Sequence, residues 1–361
     1  MNPDYRNAFE RIYRGKRVLV TGHTGFKGVW LSLMLQELGA EVFGIALPAD
    51  TEPNLFSIAP LKIHSNFVDI RNFKEISRSV ENANPEIAFH LAAQPLVIRS
   101  YKDPIATYET NVMGTVHLFE ALKTQKLVRA IVCITTDKVY RQSQGRRHYR
   151  EDDLLGGKDP YSGSKVCVEY ICEQFRHLFM EKNVLLSVAR AGNVLGGGDW
   201  SANRILPDLI RSFINGRVVK IRHPEAIRPW QHVLDCIHGY LIIGAHLLQN
   251  KSDVAKAWNF GPDRDRLITV REVVDRVRNH FDGLKIEISS SAYPENQFLA
   301  LDSSMARNEL HWHPHYTSEE AIEESILWYK NYYQSGRANC FEALEKFWSK
   351  SPHYNSMEAN S

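Results

Sequence analysis

The residues best able to do chemistry stand together at Tyr161-Ser162-Gly163-Ser164-Lys165. An i, i+4 pair on a helix shares one face, with about 6 Å of rise between the two positions, so both heads can serve one site. A free phenol titrates near pH 10 and is a poor base at neutrality, whereas an adjacent ammonium favours the phenolate. The pair therefore reads as a tyrosine base activated by a lysine, with a chance surface pair as the plain alternative. A second cluster, Thr135-Thr136-Asp137-Lys138, follows the apolar run Ala130-Ile131-Val132-Cys133-Ile134. Open α/β sheets place their ligands at the C-terminal ends of such strands. Thr136 can there hydrogen-bond a substrate hydroxyl beside Tyr161. Asp137 and Lys138 add an acid and a base, more proton-transfer capacity than a simple alcohol dehydrogenase needs; a solvated turn with an ion pair is the bland reading.

These groups need a scaffold, and the segments before them supply one. Arg17-Val18-Leu19-Val20 reads as a first strand running into Thr21-Gly22-His23-Thr24-Gly25-Phe26-Lys27-Gly28, and Val29, Trp30, Leu33, Met34 and Leu38 then recur at helical spacing. Glycines 22, 25 and 28 between a strand and a helix allow a tight turn and close approach of a pyrophosphate to the helix N-terminus. A dinucleotide is therefore expected there. The acid usual at the end of the second strand is missing, since Ile45-Ala46-Leu47-Pro48 fills that place, and Asp50 comes late. No Lys or Arg occurs between Lys27 and Lys62 to meet a 2′-phosphate, although Lys27 itself could reach one. NAD is favoured over NADP. Asp69-Ile70, after a third short strand, would suit the adenine edge.

Apolar strands continue to alternate with helices: Ile87–Leu91, a long helix over 104–123, Ala130–Thr136, a helix beginning near Tyr161, and Val184–Arg190. Such alternation is the signature of an α/β, Rossmann-like doubly wound parallel sheet. Residues 1–190 are expected to form this nucleotide-binding domain, with returning segments around 230–262. A smaller, mixed C-terminal substrate-binding domain follows over 191–350, with helices expected at 207–215, 234–248 and 270–281, and a frayed tail at 351–361. Glycines 192, 196, 197 and 198 let the backbone pass a ligand as it leaves the last large strand. Asn193 could read a pyrophosphate or ring oxygen there. Arg204, Arg211 and Arg228 offer bidentate donors for a diphosphate, and Trp230, Gln231 and His232 follow the last of them.

Composition limits the alternatives. Hydrophobic residues make up 43% and charged residues 24% of 361, ordinary for a globular chain. The formal net charge of +2 offers no field for nucleic acid, so bound phosphate must be held by local groups. Five scattered cysteines form no C-x-x-C pair and no even disulfide set, and no metal is expected. Met1–Arg17 is polar, unlike a signal peptide, and no apolar run reaches the roughly 18 residues of a membrane span. A reducing cytoplasm fits best.

Read in order, these segments resemble the extended short-chain dehydrogenase/reductase family: the glycine turn, His90-Leu91-Ala92-Ala93, Asn111-Val112-x-Gly114-Thr115, Tyr161-x-x-x-Lys165 and Arg190-x-x-Asn193-Val194-x-Gly196. Within it, Ala92-Ala93-Gln94-Pro95-Leu96-Val97, Asp137-Lys138, Gly196-Gly197-Gly198-Asp199-Trp200 and Arg228-Pro229-Trp230-Gln231-His232-Val233 are similar to the branch of 4,6-dehydratases that act on CDP-glucose. The dTDP-glucose branch carries Asp-Glu in place of Asp137-Lys138, and Gly163 stands where relatives usually have asparagine. The resemblance implies bound NAD touching Gly22, Thr24, Gly25, Phe26, Lys27, Gly28, Asp69, Ile70, Leu91, Ala92, Ala93, Gln94, Tyr161 and Lys165. It implies a nucleotide-hexose substrate, CDP-glucose favoured, against Gln94, Asn193, Arg204, Arg211, Arg228, Gln231 and His232. The implied reaction is an internal redox: Tyr161 takes the C4 hydroxyl proton with Thr136 and Lys165 supporting it, Lys138 takes the C5 proton, Asp137 protonates the departing C6 hydroxyl, and the hydride lost from C4 returns to C6. Helices near 104–123 and 161–178 resemble a family dimer interface, implying a homodimer or homotetramer. A 4-epimerase on the same scaffold is the nearest rival, and it has no use for Asp137 and Lys138.

Overall fold

Short runs of Val, Ile, Leu, Ala and Phe, buried on both faces, make most of the central sheet, and the edge strand His64–Phe67 is polar and exposed. The computed structural model describes residues 3–142, 145, 147–262, 268–289 and 298–350. Its seven main strands are β1 (Arg17–Thr21), β2 (Glu41–Ala46), β3 (His64–Phe67), β4 (Ile87–His90), β5 (Ala130–Ile134), β6 (Leu185–Ala191) and β7 (Ala257–Phe260). They lie in the order β7-β6-β5-β4-β1-β2-β3 and every pairing is parallel. The order reverses between β1 and β4, and the crevice at that switch point is where such sheets bind ligands.

Residues alternate between two apolar layers along each strand. Val18, Val20 and Phe89 face one layer, while Leu19, Ala88 and Ile131 face the other. On the first face lie α1 (Pro3–Tyr13) and α2 (Phe26–Glu37); on the second, α3 (Phe73–Ala83), α4 (Gly114–Lys123) and α5 (Pro160–Met180). Each fully buried Leu, Ile or Phe contributes about 1.5–3 kcal/mol, so the two layers rather than helix propensity hold the sheet. α5 starts where it does because Asp159 accepts from the Ser162 amide at 2.9 Å in a capping box, with Pro160 in the first turn. That start sets Tyr161 at the helix mouth.

Beyond β6 the chain enters the mixed region with α6 (Ile205–Ile214), returns to the first face of the sheet as α7 (Val233–Leu248), adds β7, and continues through α8 (Val270–His280), α9 (Ser318–Ser335) and α10 (Cys340–Ser349). Two-stranded pairings stitch this region: Val194–Leu195 with Gln231–His232, Ile227–Arg228 with Ile268–Thr269, and Val219–Ile221 with Ile286–Ile288. The expected helices at 207–215, 234–248 and 270–281 lie within two residues of α6, α7 and α8. The helix expected over 104–123 is broken in kind, with a wide π-turn at Glu109–Met113 between Pro104–Tyr108 and α4. Two features were not anticipated. The polar-looking N-terminus is helical because Tyr5, Phe9 and Tyr13, at i, i+4 spacing, bury one stripe, and the Tyr13 hydroxyl donates to the Leu241 carbonyl at 2.8 Å. Helices α9 and α10 close the far side of the same core. The tail expected at 351–361 lies outside the described residues.

Candidate active site

A cleft of about 1340 Å3 runs along the C-terminal ends of the strands, from the glycine turn to the mixed region. At one end Gly22 has φ +76°, and a Cβ there would stand 2.8 Å from the Ala92 amide nitrogen. A Cβ on Gly28 would fall 2.1 Å from the Gly22 carbonyl oxygen. The turn therefore tolerates no side chain at either position. α2 begins at Gly25 without a side-chain cap and without an acid in its first turn, leaving its N-terminal amides to an anion in the cleft. Thr21 supports the neighbouring loop, its hydroxyl accepting from the Leu91 and Ala92 amides, and it is paired at 2.7 Å with His90, which contacts Thr115 at 2.9 Å. Burial pushes His90 down to about 3, so it is a neutral strut.

Lys27 lines the cleft but turns inward, with Nζ 3.4 Å from the Tyr240 hydroxyl. This direction leaves the end of β2, where Leu47, Pro48 and Ala49 line the cleft, without a lysine. Asp69 and Ile70 are cleft residues, and Asp69 is held in a paired interaction by Arg71. Leu91, Ala92, Ala93 and Gln94 line the floor. The Gln94 side chain is committed within its own loop, donating to Thr107 at 3.0 Å and accepting from the Leu96 amide at 2.7 Å. These walls fit a dinucleotide carrying a free adenosine ribose.

At the centre, Thr136, Lys138, Tyr161 and Lys165 all reach the cleft. Tyr161 and Thr136 are hydrogen-bonded, and the Thr136 hydroxyl donates to Asp137 Oδ1 at 3.0 Å. Lys138 Nζ lies 3.5 Å from that same oxygen. Asp137 is fully buried, and its Oδ2 has no hydrogen-bond partner among the described residues. It sits behind Gly192, where a Cβ would come within 3.1 Å of Oδ2. A side chain at 192 would also meet Pro229, whose Cγ would stand 2.6 Å from the added Cβ, so glycine is what lets this segment pass so close to the carboxyl. Burial pushes Tyr161 up to about 12; the Thr136 hydrogen bond and the Arg204 guanidinium oppose that rise, and Asp137 adds to it. Lys165 differs from expectation. Its ammonium lines the cleft and donates to the Ile134 carbonyl at 3.0 Å, tying α5 to the end of β5, and the Arg204 guanidinium is a further cation that favours the phenolate. Burial pushes Lys165 down.

Toward the mixed region, Asn193, Arg204 and Arg228 line the cleft. Arg204 is oriented by Asp199 at 2.7 Å. Three further candidates lie elsewhere. Arg211 donates to the Trp200 carbonyl and to Asp208, bracing α6. Gln231 is buried in the short pairing with Val194, and His232 accepts from the Leu234 amide and packs on Tyr316. Lys220, Arg222 and His223 enter the cleft and were not anticipated. Their signal was an alternation, since Val219 and Ile221 are buried and the polar residues between and after them point away.

A parallel seven-stranded sheet with a glycine cradle at its switch point and a Tyr161-x-x-x-Lys165 helix beside it defines a dinucleotide-dependent fold of the short-chain dehydrogenase/reductase class. Comparison with known proteins places it further. A family model described as GDP-mannose 4,6 dehydratase matches residues 19–325, and the chain belongs to that family. It is 44% identical over 331 residues to a CDP-glucose 4,6-dehydratase of Salmonella typhimurium, covering 89% of this chain and 92% of that protein. A dTDP-glucose 4,6-dehydratase of Xanthomonas campestris is 25% identical, over 86% and 92% of the two chains. Among solved structures, dTDP-glucose 4,6-dehydratase of Bacillus anthracis in complex with NAD has a TM-score of 0.71 at 23% identity, covering 87% of this chain and 96% of that one. That likeness is one of fold.

Proposed function

We propose that this chain is an NAD-dependent lyase, a CDP-glucose 4,6-dehydratase. One observation carries the reading: an acid and a base, Asp137 and Lys138, stand beside the Thr136 and Tyr161 pair at one strand end. Oxidising and reducing a carbinol needs the phenol alone; removing water across two adjacent carbons needs the second pair. The 44% identity to the Salmonella enzyme supports CDP-glucose as the substrate.

Gly22, Thr24, Gly25, Phe26 and Gly28 would hold the NAD diphosphate, with Asp69 and Ile70 at the adenine end and Leu91, Ala92, Ala93 and Gln94 beneath. Bound there, NAD would supply a reversible hydride acceptor, so that the hydride lost from C4 can be returned to C6. Tyr161 removes the C4 hydroxyl proton as the phenolate, the form that Arg204 and Thr136 favour against burial, and Thr136 holds the C4 oxygen. The new ketone acidifies C5, whose proton Lys138 takes. Asp137, beside Thr136 and Lys138, protonates the C6 hydroxyl so that it leaves as water, Lys138 returns its proton to C5 as the hydride lost from C4 arrives at C6, and the proton that Tyr161 took from O4 resupplies Asp137 by way of Thr136. Asn193, Arg204 and Arg228, with Lys220, Arg222 and His223, hold the nucleoside diphosphate. Exposed Tyr101, Ile105, Tyr108, Met113 and Tyr170 on the helices around α4 and α5 support a homo-oligomer, acting in the cytoplasm in deoxysugar supply.

The test is incubation of the purified protein with CDP-, dTDP- and UDP-glucose, followed by mass spectrometry of the sugar nucleotide. CDP-glucose should lose one water and gain a 4-keto group faster than the other two. A product of unchanged mass with inverted C4 would make the protein an epimerase and overturn the reading.

A further inference from the structure

Two turns beyond the tyrosine on α5, and one beyond the lysine, stands Glu169, a carboxylate with almost no access to water. Arg190 at the end of β6 clamps it bidentately, Nε and Nη2 each donating at 2.9 Å to separate oxygens. The Thr135 hydroxyl donates to Glu169 Oε1 at 2.5 Å. The remaining guanidinium nitrogen is also used, donating to the Tyr140 hydroxyl at 2.7 Å and to the Glu151 carbonyl at 2.9 Å. Tyr140 in turn donates to Asn259 Oδ1 on β7 at 2.7 Å. Side-chain exposure is 5% for Arg190 and 4% for Glu169, so the pair is desolvated on every side.

A buried ion pair adds little net stability over apolar residues of the same volume, because taking both charges out of water offsets their attraction. What this pair supplies is position. Its three anchor points are α5, the end of β6 and Thr135, and Thr135 immediately precedes the threonine that hydrogen-bonds Tyr161. A helix is stiff over two turns, so fixing Glu169 fixes both the rotation of α5 and its slide along the sheet.

We propose that Glu169 and Arg190 are positioning residues for the reaction, setting the register of Tyr161 and Lys165 against Thr136 without touching substrate. The inference rests on Tyr161 being the base. A misplacement of about 1 Å at a reacting group costs on the order of a hundredfold in rate.

The test is the double variant Glu169→Gln/Arg190→Met, which removes both charges together and avoids stranding either one. It should keep its melting temperature to within a few degrees, its NAD dissociation constant and its KM, and lose about a hundredfold in kcat. Wild-type kcat in the folded double variant overturns the proposal. If the double variant does not fold, Arg190→Lys keeps the charge but not the two-pronged geometry. A kcat at least tenfold lower at unchanged KM then supports the proposal, and unchanged kcat overturns it. Tyr161→Phe is measured alongside: if it too retains full turnover, the reading of the base has failed and the inference with it, whereas an inactive Tyr161→Phe beside a fully active double variant sinks the positioning role alone.

Discussion

Replacing Gly28 by alanine tests the cradle most directly. The added methyl would lie 2.1 Å from the Gly22 carbonyl oxygen and 2.8 Å from its carbon, both backbone atoms with no rotamer to yield. Ordinary contact begins at 3.4 Å, so α2 and the turn must part by about 1.3 Å. A displacement of that size takes the N-terminal amides out of hydrogen-bonding range of a diphosphate held by the turn. Losing one charge-assisted hydrogen bond of about 2–3 kcal/mol weakens NAD binding by roughly 30- to 150-fold. Overpacking should also lower stability by about 1–3 kcal/mol. Isothermal titration with NAD measures the first effect and urea unfolding the second. Gly163→Ala is the control, because its methyl would meet only the Tyr108 hydroxyl at 2.8 Å, the tip of a partly exposed side chain that can swing aside. NAD binding by Gly28→Ala within threefold of the unsubstituted protein would refute the geometry argued for the turn.

Three other perturbations probe distinct parts of the molecule. Lys138→Ala should retain NAD affinity while exchange of the C5 hydrogen with deuterated water slows by about a hundredfold or more; unchanged exchange removes Lys138 from the mechanism. Asp235, buried in the first turn of α7 and accepting the His315 and Tyr316 amides, is pushed by burial from 3.8 up to about 8. The folded state then holds a proton that the unfolded state has released, so this group's contribution is full below about pH 4 and fades by about 1.4 kcal/mol per pH unit toward pH 8. Asp235→Asn should abolish that slope in urea midpoints measured from pH 5 to 8, and a parallel pair of profiles would contradict it. Phe9→Ala should cost about 3–5 kcal/mol in urea unfolding because the ring is wholly buried, and a loss under 1 kcal/mol would mean that α1 is no part of the core.

The parts legible in the sequence are those whose signal is local. The glycine turn, the strands of the sheet and the Tyr161 and Lys165 spacing are each written within a few residues, and period 2 or 3.6 is enough to read them. Side-chain direction is a different matter. The i, i+4 spacing places Lys165 on the face of Tyr161 but leaves open which acceptor the ammonium finds, and it finds the Ile134 carbonyl. Arg211 has the right charge at the right distance along the chain, yet its partners are the Trp200 carbonyl and Asp208 of its own surroundings. Gln231 and His232 follow a cleft residue, Arg228, but enter a buried two-residue pairing. In α1 the charges between Tyr5, Phe9 and Tyr13 mask a stripe only one residue wide per turn. Lys220 and Arg222 were hidden in and just after a strand, Val219–Ile221, too short to stand out by composition.

The place of β7 bears on how the chain comes to be folded. The strand beside β6 is not supplied until residue 257, after the whole 192–256 stretch has been made, and its Asn259 then joins the group that holds Tyr140 and Arg190. A nascent or truncated chain ending near residue 190 would leave β6 as an open margin, with the Tyr140 hydroxyl that Arg190 meets lacking its Asn259 acceptor. Nucleotide-binding half and remainder are thus bound to mature together, through contacts far apart in sequence that close late. Limited expression of 1–190 alone should accordingly give aggregate rather than a small nucleotide-binding module.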